Sequence, residues 1–202
     1  MIMSSFKKIA ISNQRIFLDS HSVDGNLSNG EIMDKYVDYL SKISKYVDYL
    51  ILREKDLDRE LYEKLAEKLL KCCDEKVILH NDVDAALHVG GMLIHLPMDI
   101  FRKEVSRLGG FVLKGASAHS LEDAHMAEEL GADYITFSHV FPTECKKGLK
   151  PRGLDMLCQV CHAVKIPVYA LGGINDENEQ QVYAAGAAGA CRMSDYMKKM
   201  CD

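Results

Sequence analysis

Residues 134–148, Tyr-Ile-Thr-Phe-Ser-His-Val-Phe-Pro-Thr-Glu-Cys-Lys-Lys-Gly, concentrate side chains able to do chemistry. His139 can take up or release a proton near neutral pH. Ser138 and Thr143 offer hydroxyls, and Lys146 and Lys147 offer positive charge. The first half of the stretch is apolar, β-branched and aromatic, as suits a buried strand. Pro142 and Gly148 mark the passage from strand to loop. His139 therefore falls at the C-terminal end of a strand, where sites form in parallel α/β folds. Taken alone, it also reads as a hydrogen-bonded core histidine.

Similar polar groups follow other apolar runs. Arg53 and Lys55 follow residues 49–52, and Asn81 and Asp82 follow residues 77–80. Ser117 and His119 follow residues 111–115, Gly172 and Gly173 follow residues 167–171, and Ser194 closes the last run. Arg53 and Lys55 point the same way by the two-residue period of an extended chain; with Glu54 they also read as a solvated charge cluster. Paired glycines let the backbone close on a ligand, and N–H groups there or at the next helix start can hold a phosphate. A simple strand-to-helix turn has the same signature. Ser194 on the neighbouring strand end favours the phosphate reading, because barrel phosphate sites often follow strands seven and eight. His80 and His95 lie within predicted strands, and His80 reads as structural. Cys158-Gln-Val-Cys161 has zinc-like spacing but is a single pair on an amphipathic helix, and Cys145 in the basic loop reads as a packing residue, so no metal site is expected.

The elements that must position these groups alternate. Strands are predicted at residues 8–12, 49–52, 77–80, 92–96, 111–115, from 134, 167–171 and 189–193. Helices are predicted at 31–45, 57–73, 83–89, 97–108, from Ser120 to about Gly131, 155–164, 176–185 and at the end of the chain. Residues 13–30 read mostly as loop, and 143–152 as a long basic loop. Leu61, Leu65, Leu69 and Cys72 share one face of the second helix, Pro97 opens the fourth, and Asp123 stands at capping-box spacing from Ser120. Eight strands and eight helices at about 20–25 residues per unit are the pattern of a (β/α)8 TIM barrel. One such domain would span residues 1–202, with all the polar clusters at one mouth. An open doubly wound sheet is the rival, usually with fewer strands.

Composition agrees with a single globular domain: 202 residues, 48% of them hydrophobic. A net charge of −5 argues against a general nucleic-acid binder, so an anionic small molecule would need a local cluster of donors. No apolar run is long enough to cross a bilayer, and no long apolar segment follows the basic residues near the N-terminus. Seven cysteines without framework spacing fit reduced thiols. The expectation is a cytoplasmic protein that binds neither membrane nor nucleic acid. The sequence does not fix an oligomeric state, and a homodimer is compatible with it.

Leu52-Arg-Glu-Lys55, His80-Asn-Asp82, Ile94-His-Leu96, Gly115-Ala-Ser-Ala-His119, Gly131-Ala-Asp-Tyr134, Phe141-Pro-Thr-Glu-Cys-Lys146 and Ala170-Leu-Gly-Gly-Ile174 resemble, in that order, the thiamine phosphate synthase superfamily. The resemblance covers about residues 45–195 and implies a (β/α)8 barrel. Two activities occur in the superfamily. The synthase joins hydroxymethylpyrimidine diphosphate to thiazole phosphate with Mg²⁺ on the diphosphate. The thiazole tautomerase aromatises a thiazole carboxylate phosphate by moving a proton, without a metal or other cofactor. The segment from His139 through Lys146 to Gly153 is similar to the tautomerase, in which the histidine at this place is catalytic. The synthase usually carries a glutamine where this chain has Ile51, and a metal-binding aspartate where it has Ile100; Asp99 is one place early and would face differently. The resemblance thus implies His139 as the catalytic residue. Arg53, Lys55, Asn81, Ser117, Thr143 and Lys146 would bind substrate, and Gly172, Gly173 and Ser194 its phosphate. Synthase activity, with Mg²⁺, is the alternative.

Overall fold

The computed structural model describes residues 6–21 and 27–198. Its elements are β1 (Lys7–Ile11), α1 (Gln14–Ser20), α2 (Asn29–Ser44), β2 (Tyr49–Leu52), α3 (Arg59–Cys73), β3 (Val77–His80), α4 (Val83–His88), β4 (Leu93–Pro97), α5 (Met98–Glu104), β5 (Leu113–Ala118), α6 (Leu121–Glu129), β6 (Tyr134–Ser138), α7 (Gly153–Ala163), β7 (Val168–Leu171), α8 (Glu179–Ala184), β8 (Gly189–Arg192) and α9 (Ser194–Lys198). Each strand pairs in parallel with the next, and β8 returns to β1 through Lys7↔Gly189 and Ala10↔Arg192, so the eight strands close into a barrel. This is the (β/α)8 architecture that the alternating pattern predicts. Closure removes the sheet edges that would otherwise expose unpaired backbone.

Period-two alternation divides the core. Ile9, Ile11, Ile51, Ile78, Leu93, Tyr134, Tyr169 and Cys191 fill the barrel interior. Their strand neighbours, such as Ala10, Leu50, Leu52, Leu79 and Ile135, face outward and pack under the helices. Side-chain caps fix several helix starts. Ser28 and Glu31 form a reciprocal capping box at α2, and Asp82 accepts from the Ala85 N–H at 2.8 Å to start α4. At α6, Ser120 accepts from the Asp123 N–H, while the Asp123 carboxylate reaches back to the His119 N–H at 2.8 Å.

The sequence expectation of loop across residues 13–30 is corrected at α1. Asn13 caps it by accepting from the Ile16 N–H at 3.0 Å, and Phe17 buries its ring against Tyr36 and Tyr39 at 4.9 and 4.8 Å. One apolar anchor and a cap hold a short helix that has little periodicity of its own. Residues 22–26 of that expected loop lie outside the described residues. The fifth strand begins at Leu113 rather than residue 111, because 105–110 forms a 3-10 turn after α5. Among the described residues no helix is long and apolar enough to cross a membrane.

Candidate active site

The polar strand ends meet at the C-terminal mouth of the barrel and line two adjoining cavities. The inner one, ≈ 380 Å³, is lined by His139, Thr143, Gly172, Gly173 and Ser194. The wider one, ≈ 1050 Å³, is lined by Asn81, Asp82, Asp99 and His119. Arg53, Lys55, His80, Ser117, Ser138 and Lys146 border both. The structure therefore brings together every site residue expected from the sequence. Cys145 differs: its side chain lies outside those described.

His139 is 5% exposed, and its position is set by neighbouring backbone. The Val140 and Phe141 N–H groups donate to the Leu171 and Gly172 carbonyls, both at 3.0 Å, extending the β6–β7 pairing past the strand ends. Gly172 has φ +103°, and a Cβ built there would lie 2.4 Å from the His139 Cβ. Gly173 has φ +68°, and its Cβ would lie 2.4 Å from the Pro142 carbonyl oxygen. The paired glycines thus make more than a plain turn: only glycine admits both this backbone and the close seat of His139. The His139 Nε2 is 3.4 Å from the Leu149 carbonyl. A carbonyl only accepts, so Nε2–H is the donor in that contact.

The basic loop folds back over the same strand end. Arg152 donates its N–H to the His139 carbonyl and its Nε–H to the Ser138 carbonyl, both at 2.9 Å. His119 Nδ1 lies 3.1 Å from that same Ser138 carbonyl, and Lys146 Nζ lies 3.4 Å from the Ser138 hydroxyl. Burial, and then the neighbouring Arg152 guanidinium, lower the pKa of the Lys146 ammonium.

Glu54 does not pair with the cations beside it. Its carboxylate accepts from the Ser12 hydroxyl at 2.5 Å, the Tyr36 hydroxyl at 2.6 Å and the Gln14 N–H at 2.8 Å. Ser12 in turn accepts from the Arg53 N–H at 2.9 Å. This network fixes the β2 end from which Arg53 and Lys55 reach the mouth. Burial raises the Glu54 pKa, against the lowering by its donors. The sequence offers no local signal for this role, because its partners come from the β1–α1 junction and from α2.

His80, read from the sequence as structural, instead lies at the mouth, and His95 is the more deeply tied of the two strand histidines. His80 borders both cavities. His95 is 3% exposed, with Nδ1 at 3.1 Å from the Tyr134 hydroxyl and Nε2 at 2.9 and 3.3 Å from the Ser117 and Thr136 hydroxyls. His95 thus holds Ser117 in place. Burial lowers its pKa to about 3. An unfolded histidine titrates near 6.5. Between those values the unfolded chain holds the extra proton, so stability is full above about pH 6.5 and falls as pH drops toward 3. Going from about pH 7 to 5 should cost roughly 2 kcal/mol through His95. His95→Asn should flatten the slope of melting temperature against pH; an unchanged slope would sink this account.

Asp99 also departs from expectation, since it lines the wider cavity with Asp82, while Ile100 packs against the core. Asp82 already gives an oxygen to cap α4. Among the described residues no group of three or more potential ligands is placed to hold a metal. The donor set suits at most a Mg²⁺ ion shared with substrate phosphates, not an ion held by protein alone.

A closed barrel with a polar, part-enclosed cavity at the C-terminal strand ends is the architecture of a (β/α)8-barrel enzyme. Comparisons with known proteins narrow that class. The family model described as thiamine monophosphate synthase matches residues 28–195. An Aquifex aeolicus protein named "Putative thiamine-phosphate synthase 2" is 41% identical over 171 residues, covering 82% of this chain and 91% of that protein. The thiamine-phosphate synthase of Pyrococcus horikoshii is 39% identical over 143 residues, covering 69% of each chain. The solved structure of thiamine phosphate pyrophosphorylase from Pyrococcus furiosus superposes with a TM-score of 0.73 at 25% identity, covering 98% of this chain and 91% of that one. The chain belongs to the thiamine monophosphate synthase family.

Proposed function

We propose that this chain is a thiazole tautomerase of thiamine biosynthesis, which aromatises a thiazole carboxylate phosphate. The observation that carries the reading is His139, seated by Gly172 and lining the inner cavity with Gly173 and Ser194. In this reading the substrate phosphate sits at the turns after β7 and β8, held by N–H groups. Arg53 and Lys55 after β2, and Lys146 in the loop after β6, balance the carboxylate and the negative charge that develops as the proton leaves. His139 removes a proton from the ring carbon and returns it to the exocyclic carbon. The double bonds shift into the ring, and atoms and electrons are conserved. The aromatic product makes the step downhill, so the enzyme has only to lower a proton-transfer barrier.

The names of the relatives favour a second reading, thiamine phosphate synthase, and so does Asp99 lining the cavity with Asp82. There, Asp82 and Asp99 would hold Mg²⁺, which would neutralise the leaving diphosphate. Against it, Ile51 lies buried in the barrel interior and Ile100 against the core, where the synthase usually has a glutamine and an aspartate.

Two assays on the same preparation separate the readings. With the dihydrothiazole carboxylate phosphate, the ultraviolet absorbance should change as the ring becomes aromatic. With hydroxymethylpyrimidine diphosphate, thiazole phosphate and Mg²⁺, pyrophosphate release should stay far below ordinary enzyme rates of about 1 s⁻¹. Pyrophosphate release at such a rate, with no tautomerisation, would replace the first reading by the second.

A further inference from the structure

Arg192 ends β8 and is 7% exposed. Its Nη1 group donates to Asp176 at 2.7 Å and to Asp195 at 3.1 Å, and its Nη2 group donates to Glu179 at 2.6 Å. Burial works against its charge, but the carboxylates outweigh it and hold the guanidinium above its ordinary pKa. The partners lie on two different segments. Asp176 and Glu179 belong to the turn and helix that follow Gly172 and Gly173, while Asp195 is in the first turn of α9, next to Ser194. One side chain therefore ties together the two turns that border the inner cavity, which Arg192 and Asp195 also line. Both of its Nη groups are directed to carboxylates, so it contributes geometry there rather than an open cation. It also offsets three negative charges beside the place where an anion would bind.

We propose that Arg192 is a positioning residue: a three-carboxylate clamp that sets the spacing of the β7 and β8 turns and thereby their affinity for a phosphate group. This inference rests on the proposed phosphate subsite. Losing the clamp would act twice, by freeing the two turns and by removing a positive charge beside the place where a dianion would bind. Lysine would keep the charge but could not reproduce the planar fork that spans three partners.

The test uses inorganic phosphate as the probe and follows backbone amide resonances by NMR at a temperature where each variant is folded. In the parent protein, phosphate should shift the amides of Gly172, Gly173 and Ser194. Arg192→Met should weaken phosphate binding by about tenfold or more, the scale on which losing outer-shell partners weakens metal sites. Arg192→Lys should fall between the two, and it carries the test if the Met variant does not fold. Arg107→Met breaks exposed ion pairs with Asp84 and Glu104 and should leave phosphate affinity unchanged. A parent protein whose three amides ignore phosphate would overturn both the subsite and the clamp. A parent that responds, with folded Arg192 variants of unaltered affinity, would overturn the clamp alone.

Discussion

Replacing His139 with asparagine is expected to lower kcat for tautomerisation by about 10²–10⁴-fold, the usual contribution of a positioned acid–base group. Asparagine keeps much of the volume and a polar amide in a site only 5% exposed. It cannot carry a proton from one carbon to another in the neutral range. The phosphate is assigned to the turns after β7 and β8, so substrate binding should change far less than turnover. A loss confined to kcat is the mark of an interaction made in the transition state. The competing account makes His139 a packing residue under the 143–153 loop. That account predicts a lower melting temperature and near-normal turnover in the folded fraction. Measuring kcat and melting temperature on the same asparagine variant separates the two, and an unchanged kcat would remove His139 from the mechanism.

The barrel was legible because its signals are local and repeated. Each strand is a short apolar run, and each is followed by polar residues that closure brings to one mouth. His139, Arg53, Lys55 and the paired glycines could be placed from that alternation alone. The features that escaped depend on distant partners. Helix α1 forms because Phe17 meets Tyr36 and Tyr39 of α2. Glu54 looks like a member of a surface charge cluster until the turn after β1 supplies Ser12 and α2 supplies Tyr36. His80 and His95 are both strand histidines, and only the register with Ser117 and Thr136 shows which is tied into the interior. Asp99 reaches the wider cavity from the first turn of α5, a direction that strand alternation does not specify. Arg192 carries no local signal of its role, because its three carboxylates come from α8, the turn before it and α9.

Gly172→Ala should damage stability and activity together, and the coupling between those losses tests the seating of His139. The left-handed backbone at φ +103° costs a non-glycine residue about 1–2 kcal/mol. The new methyl would also stand 2.4 Å from the His139 Cβ and 2.8 Å from its Cα, so the backbone must move. Overpacking of this kind adds about 1–3 kcal/mol. The sum, roughly 2–5 kcal/mol, corresponds to a fall in melting temperature of about 5–15 °C in a chain of this length. Displacing the imidazole by about 1 Å should cost roughly 10²-fold in turnover. Gly90→Ala is the internal control: its φ is +74°, but nothing lies within 4 Å of the added Cβ, so it should cost only the backbone term and leave kcat alone. The decisive comparison is the double variant. If Gly172 acts on catalysis through His139, then adding Gly172→Ala to His139→Asn should take away the full stability again but little further activity, because the group it misplaces is already gone. Activity losses that simply multiply would show that Gly172 serves turnover by another route, such as the phosphate turn itself.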